Sequence, residues 1–126
     1  AVAAEVLAVF REEDVLSRAE AKAARIAETF ARLGAREGMR EGRALGMIGA
    51  VDFDTADGYL GQKGWRVYDE ALRRGAYLRP LGDTVYVTPP LNIEDDELSK
   101  LLTIVEESVE AVRTDAAPTD RAWRME

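Results

Sequence analysis

The segment of this chain best suited to bind a small molecule is RPLGDTVYVTPP, at residues 79–90. Arg79 ends a short apolar run, and a turn, a second apolar run and a proline pair follow it. A guanidinium stays charged in proteins and presents a rigid fork of donors that suits a carboxylate. We therefore take Arg79 as the first candidate for ligand binding, with Leu81 and Tyr86 as its apolar and aromatic neighbours. From spacing alone, a surface arginine paired with Asp83 is the simpler interpretation.

The rest of the sequence has few residues that could carry out catalysis. It contains no histidine and no cysteine, which removes the usual general base, thiolate nucleophiles, disulfides and zinc–sulfur sites. Its lysines are Lys22, Lys63 and Lys100, and we expect each on a polar helix face or at a helix start. A lysine that forms a Schiff base has to be desolvated, so none of the three is a credible nucleophile. The chain alone is predicted to hold no catalytic residue.

Two acidic clusters could suggest a metal site, but neither has the pattern of one. Asp52, Asp54 and Asp57 follow a predicted strand, and their spacing does not match a calcium-binding loop. The acidic run at residues 94–97 begins a predicted helix, where the helix dipole favours negative charge. The glycines are spaced wrongly for a dinucleotide or phosphate loop. We therefore predict no metal site and no cofactor site within this chain.

Length and charge limit the remaining classes of function. A chain of 126 residues suffices for one domain with a hydrophobic core. The net charge of −7 argues against nucleic-acid binding, which needs a basic face. No apolar run approaches the ~20 residues that span a membrane, and the first residues do not resemble a signal peptide, which makes the cytoplasm the expected location. The chain starts inside a helical pattern without a methionine, which suggests a fragment of a longer protein.

Hydrophobic periodicity predicts a small α+β domain. The sheet should be mostly antiparallel, with the helices packed on one face. We expect one domain over residues 1–113 and a flexible tail over 114–126, in which Trp123 has no evident role. The predicted order is helix 1–12, helix 14–33, strand 44–53, helix 57–74, a hairpin of strands 76–79 and 84–88, and helix 94–113.

The segment RPLGDTVYVTPP resembles the carboxy-terminal small domain of class III pyridoxal-phosphate aminotransferases, which belong to fold type I. The run RALGMIGAV at residues 43–51 is similar to a strand of the same domain, and the alanine-rich start resembles the helix that leads out of the cofactor domain. The likeness extends over residues 1–112. Within the class it is closest to the biotin-pathway members, because a tyrosine, Tyr86, precedes the proline pair.

The resemblance implies an enzyme that transfers the amino group of S-adenosylmethionine to 8-amino-7-oxononanoate, giving 7,8-diaminononanoate. Arg79 would bind the carboxylate of the oxononanoate, and Tyr86 and Leu81 would line the substrate side. Pyridoxal phosphate would be held by a large domain that is missing here, so the fragment by itself should be inactive. The family also implies a homodimer for the full-length protein.

Two other interpretations stay open at this point. Omega-aminotransferases, which use other amines, share Arg79, Gly82, Asp83 and the proline pair. A non-catalytic ligand-binding or interaction domain could also have this fold.

Overall fold

The computed structural model describes residues 1–115, which form four α-helices and a three-stranded sheet. A 3-10 turn precedes the third helix. The helices are α1 (Val2–Glu12), α2 (Val15–Gly34), α3 (Lys63–Arg74) and α4 (Asp95–Thr114), and the strands are β1 (Met39–Leu45), β2 (Ile48–Phe53) and β3 (Thr84–Val87).

The sheet is antiparallel throughout, in the order β1-β2-β3, with β2 in the centre. Alternate residues of β2 are buried, because one face of the sheet is covered by helices and the other is not. On the covered face, a β-carbon added to Gly49 would lie 2.6 Å from Ile26 and 2.4 Å from Phe30 of α2. The glycine therefore lets α2 pack directly on the central strand, and the predicted α+β architecture is confirmed.

The strand predicted over residues 44–53 is wrong, since these residues belong to two strands of a hairpin. Leu45 pairs with Ile48, and Gly46 and Met47 form the two-residue loop. Gly46 has φ of +54°, the conformation that the first position of a type II′ turn requires. Periodicity alone missed the turn because Met47 is apolar and its side chain is buried in the core.

The hairpin predicted between residues 76–79 and 84–88 is also wrong. Residues 76–80 lie outside the named helices and strands, and β3 pairs with β2 instead. The one bridge recorded here is isolated and joins Thr84 to Leu81, which belongs to the predicted turn and not to the first predicted strand. The helix predicted from residue 57 begins at Lys63, after the 3-10 turn Gly58–Leu60.

The core lies between the covered face of the sheet and helices α2, α3 and α4. It is one cluster, to which all three helices and all three strands contribute. Helix α1 contributes no buried residue. None of the helices in the described part of the chain has the length and apolar character needed to cross a membrane. Trp123 and the predicted tail beyond Asp115 lie outside the described residues.

One lysine is not where the sequence placed it. Lys22 was expected on a polar helix face, yet its side chain lies on the buried stripe of α2 and is only 3% exposed. Its Nζ has no hydrogen-bond partner among the described residues. Helical periodicity already puts position 22 between Ala19 and Ile26 on the buried face, so the residue type misled the prediction.

Candidate substrate-binding site

Arg79 lies in an extended segment between α3 and the turn that precedes β3. Ala76 and Leu78 are buried in the core, while Tyr77, Arg79 and Leu81 are exposed. This alternation has the period of two that extended backbone imposes, so the exposed side chains share one side of the segment. Arg79 is exposed and makes no hydrogen bond or ion pair with any residue that the structure describes.

The turn after Arg79 is held by Asp83, a buried residue that is only 3% exposed. Its carboxylate accepts a hydrogen bond from the Thr55 hydroxyl and another from the Lys63 backbone N–H, at 3.0 Å. Its own N–H donates to the Gly58 carbonyl, and its carbonyl accepts from the Phe53 N–H, both at 2.9 Å. Because Lys63 is the first residue of α3, the carboxylate also stabilises the positive end of that helix.

Glycines bring the turn and the loop before α3 into direct backbone contact. The N–H of Gly64 donates to the carbonyl of Gly82 at 2.8 Å, and a β-carbon at Gly64 would lie 2.4 Å from that oxygen. At Gly82, φ is +58°, and a β-carbon would lie 2.5 Å from the Gly58 carbonyl oxygen. A β-carbon at Gly61 would overlap the Asp83 carboxylate. The backbone that carries Arg79 is thus fixed on one side.

Leu81 and Tyr86 lie on the same outer side as Arg79. Leu81 bridges to Thr84, and residues directly opposite in an antiparallel pair share a face. Tyr86 is two residues beyond Thr84 and pairs with Ala50 on the uncovered face of the sheet. Leu81 is exposed and Tyr86 half-buried, so the outer side of the turn combines one cation with an apolar and an aromatic side chain.

The simpler interpretation of Arg79, an ion pair with Asp83, is wrong. The Asp83 carboxylate points inward to Thr55 and Lys63. Sequence reasoning treated Asp83 and Gly82 as ordinary turn residues. It missed that they hold this turn against the loop that precedes α3. The signal was a glycine every third residue, at Gly58, Gly61 and Gly64, which together with the Gly-Asp pair allows two loops to approach closely.

Two carboxyl groups with lowered pKa values, Glu70 and Glu110, lie outside the segment that carries Arg79. Hydrogen-bonded ion pairs with Arg74, which has the larger effect, and with Arg73 hold the pKa of the Glu70 carboxyl below its ordinary value. The neighbouring Arg113 does the same to the pKa of Glu110. The Asp52 carboxylate accepts hydrogen bonds from Arg43 and from Thr84 on the uncovered face of the sheet.

Each of the three lysines is buried or lies against another side chain. Lys22 is buried in the core, Lys63 packs its ammonium over the Phe53 ring at 5.1 Å, and Lys100 pairs with Glu97 at 3.2 Å. None of these lysines can offer a free amine beside Arg79. Within residues 1–115, no group of three acidic side chains is placed to hold a metal ion.

The known proteins that this chain resembles are aminotransferases. Residues 1–109 match the family model of class III aminotransferases. The adenosylmethionine-8-amino-7-oxononanoate aminotransferase of Nitratidesulfovibrio vulgaris is 34% identical over 112 residues, which are 84% of this chain and 21% of that protein. The putrescine–pyruvate aminotransferase of Pseudomonas aeruginosa is 26% identical over 110 residues, 82% of this chain and 24% of that protein.

The fold agrees with these matches. The crystal structure of an omega-transferase from Vibrio fluvialis superimposes with a TM-score of 0.77 at 21% identity, over 88% of this chain and 28% of that one. The chain spans about a fifth to a quarter of the length of the curated relatives it matches. With a family match over residues 1–109 and a small antiparallel sheet covered by helices on one face, this chain belongs to the class III aminotransferases.

Proposed function

We propose that this chain is the carboxy-terminal small domain of a pyridoxal-phosphate-dependent aminotransferase, and that Arg79 binds the carboxylate of the substrate. The proposed reaction moves the amino group of S-adenosylmethionine to 8-amino-7-oxononanoate, giving 7,8-diaminononanoate in biotin biosynthesis. The relative from Nitratidesulfovibrio vulgaris, whose name specifies these substrates, supports this choice. Residues outside this chain would hold the cofactor, which accepts electrons from the substrate when bound.

The observation that carries the proposal is the state of Arg79. Its guanidinium has no partner in the described residues, while the backbone beside it is fixed by Asp83 and the glycines. A fixed backbone limits the positions that the guanidinium can reach, and a two-pronged contact with a carboxylate then sets the orientation of the substrate. Leu81 and Tyr86 would contact the aliphatic part of the same molecule.

The full-length enzyme with Arg79→Ala tests this role. We expect the Michaelis constant for 8-amino-7-oxononanoate to rise roughly 30- to 700-fold, which corresponds to the loss of ~2–4 kcal/mol from a charge-assisted pair. The absorbance of bound cofactor should not change. Arg18→Ala is the matched control, because Arg18, on α2, is also an exposed arginine that makes no ion pair with the described residues. An unchanged Michaelis constant in the Arg79 variant would contradict the role.

A second candidate function is an omega-aminotransferase with other amine substrates. The similarity to the putrescine–pyruvate aminotransferase favours it, at lower identity. The two candidates differ in their amino donor, so the full-length protein should be assayed with S-adenosylmethionine and with putrescine. Use of S-adenosylmethionine supports the biotin-pathway reaction, whereas its refusal together with acceptance of putrescine supports the second candidate.

We propose that this chain has no aminotransferase activity by itself. Residues 1–126 alone should give no transamination above background with both substrates and cofactor. Turnover in that assay would contradict the proposal that residues outside this chain hold the cofactor. A non-catalytic binding domain would instead bind a carboxylate ligand without needing the rest of an enzyme.

We propose a cytoplasmic homodimer for the full-length protein, as the family resemblance implies, and light scattering after size exclusion tests the dimer.

A further inference from the structure

The uncovered face of the sheet carries a carboxylate, Asp52, next to the candidate substrate residues. Asp52 lies on the central strand β2 and pairs directly with Thr84 of β3, which is bridged in turn to Leu81. Residues directly opposite in antiparallel pairs share a face, so these three side chains form one row. Neighbouring strands are about 5 Å apart, which places Asp52 roughly 10 Å from Leu81. Arg79 is two residues from Leu81, on the same outer side.

Two hydrogen bonds orient this carboxylate and use only one of its oxygens. Oδ1 of Asp52 accepts from the Thr84 hydroxyl at 2.8 Å and from Nη2 of Arg43 at 3.2 Å. Oδ2 accepts no hydrogen bond from the residues that the structure describes. The Asp52 side chain is 16% exposed, so its orientation is restricted while the face above it stays open among residues 1–115. Oδ2 is therefore an oriented acceptor without a donor in the described part of the chain.

The positive charges that face Asp52 belong to two arginines of β1. Arg43 has a side chain that is 49% exposed, so water screens its ion pair with Asp52. Its guanidinium also donates to the Glu41 carbonyl, at 2.8 Å. Arg40 lies directly opposite Asp52 in the register, and its own ion pair is with Asp54, at 4.0 Å. A screened pair of this kind orients the carboxylate more than it neutralises it, so Asp52 can attract a further cation.

We propose that Asp52 binds the second cationic group of the amino donor, an inference that rests on the proposed function. Both candidate donors have such a group, which is a sulfonium in S-adenosylmethionine and a distal ammonium in putrescine. A short carbon chain separates it from the reacting amine in each. An ammonium donates a hydrogen bond to Oδ2, whereas a sulfonium has no N–H and is held by charge attraction alone.

The same sheet face then holds one charged group for each substrate. Arg79 binds the carboxylate of the acceptor, and Asp52 binds the cation of the donor. A donor with a single amine and no second positive charge gains nothing from Asp52. The carboxylate thus selects donors with two cationic centres, which is a property of the site that Arg79 cannot supply.

The full-length enzyme tests this assignment with two pairs of matched ligands. S-adenosylhomocysteine lacks the methyl group and the positive charge of S-adenosylmethionine, and butylamine lacks the distal ammonium of putrescine. The unmodified enzyme should bind the charged member of a pair more tightly than the uncharged one. In Asp52→Asn, we expect the dissociation constant of the charged member to rise about 5- to 10-fold, as for a partly exposed charge pair, and that of the uncharged member to change less than about twofold.

Single-turnover measurement of the donor half-reaction separates binding from the rate of transfer, and competitive inhibition gives the constant for a member that does not react. Asp52→Glu keeps the charge and should keep most of the preference for the charged member. Asp54→Asn is the matched control, because Asp54 is an exposed aspartate two residues further along the chain, and it should change neither constant. Urea denaturation of each variant checks that the fold is retained.

Four results would overturn the proposal. The first is equal binding of the charged and uncharged members by the unmodified enzyme. The second is an equal loss for both members in Asp52→Asn, which would mean that Asp52 only maintains the structure of the sheet. The third is an equal effect of Asp54→Asn, which would assign the preference to overall charge. The fourth is refusal of both donors.

The outcome for the proposed function can be told apart from the outcome for Asp52. Refusal of S-adenosylmethionine, together with an Asp52-dependent preference for putrescine over butylamine, would contradict the biotin-pathway reaction and support the role of Asp52. Use of S-adenosylmethionine without any effect of Asp52→Asn would do the reverse.

Discussion

Asp83 and Lys22 are both ionisable residues that are only 3% exposed, yet their surroundings are opposite. Asp83 lies in the turn after Arg79 and uses its carboxylate and backbone in four hydrogen bonds. Lys22 lies in the middle of α2, and its Nζ has no partner in the described residues. A buried charged group costs stability unless it is paired or hydrogen-bonded, so only Asp83 is placed where it stabilises the fold.

The difference shows how burial relates to the candidate site. The hydrogen-bond partners of Asp83 lie in three separate segments, so the buried residue holds in place the turn that follows Arg79. Lys22 connects nothing, and position 22 is buried because the helical stripe passes through it. Exposure alone would rank the two residues equally, whereas their hydrogen bonds separate them.

The largest effect should follow removal of the Asp83 carboxylate. Asp83→Ala leaves the Thr55 hydroxyl and the Lys63 N–H without their acceptor, and we expect a loss of about 3–4 kcal/mol in the free energy of unfolding. Asp54→Ala is the control, because Asp54 is exposed and pairs with Arg40 only at 4.0 Å. Urea denaturation compares them, and equal losses in both variants would refute the role of Asp83.

Replacement of the neighbouring glycine should cost slightly less. Gly82→Ala combines a positive φ with a β-carbon 2.5 Å from the Gly58 carbonyl, and we expect a loss of about 3 kcal/mol. Gly46→Ala has a similar φ of +54° but open space around the β-carbon, so it should cost about 1 kcal/mol. The difference between the two unfolding free energies isolates the steric contact between the loops. Equal costs would show that these loops can separate.

Lys22 should respond in the opposite direction. Lys22→Met keeps the length of the side chain and removes the unpartnered ammonium, so we expect unfolding to require about 1–2 kcal/mol more. Lys100→Met is the control, since Lys100 is exposed and pairs with Glu97. Thermal unfolding of the three proteins measures the effect. A lower midpoint for Lys22→Met would mean that the ammonium is satisfied in solution.

The smallest effect concerns pH and a site far from both residues. Because Arg74 and Arg73 lower the pKa of Glu70 below its ordinary value of 4.5, the ionised carboxyl stabilises the folded state above that pH. The stabilisation is lost as pH falls through the lowered pKa, and an exposed pair of this kind contributes only a few tenths of a kcal/mol. Unfolding measured from pH 7 to pH 3 should show a slightly weaker pH dependence for Glu70→Gln. An identical pH dependence would contradict this assignment.

Sequence periodicity predicted most helices well, because their stripes of apolar residues are long. The stripe of α4 is an example, with Leu98, Leu102, Val105 and Val109 all buried. The strands were predicted less well. Among residues 39–43 only Met39 is apolar and buried, so β1 had almost no apolar pattern to reveal it. The extended residues 76–79 alternate like a strand, but β3 pairs with β2 instead.

By itself, the sequence determined the helices, the α+β class and the candidate Arg79, because helical periodicity and the chemistry of a side chain are local properties. Only the tertiary structure decided that Asp83 turns away from Arg79 and clamps the loop before α3. It also decided that Lys22 is buried without a partner. The reason is physical: hydrogen-bond partners and close backbone contacts come from segments far apart in the chain, and no local pattern encodes which of them meet.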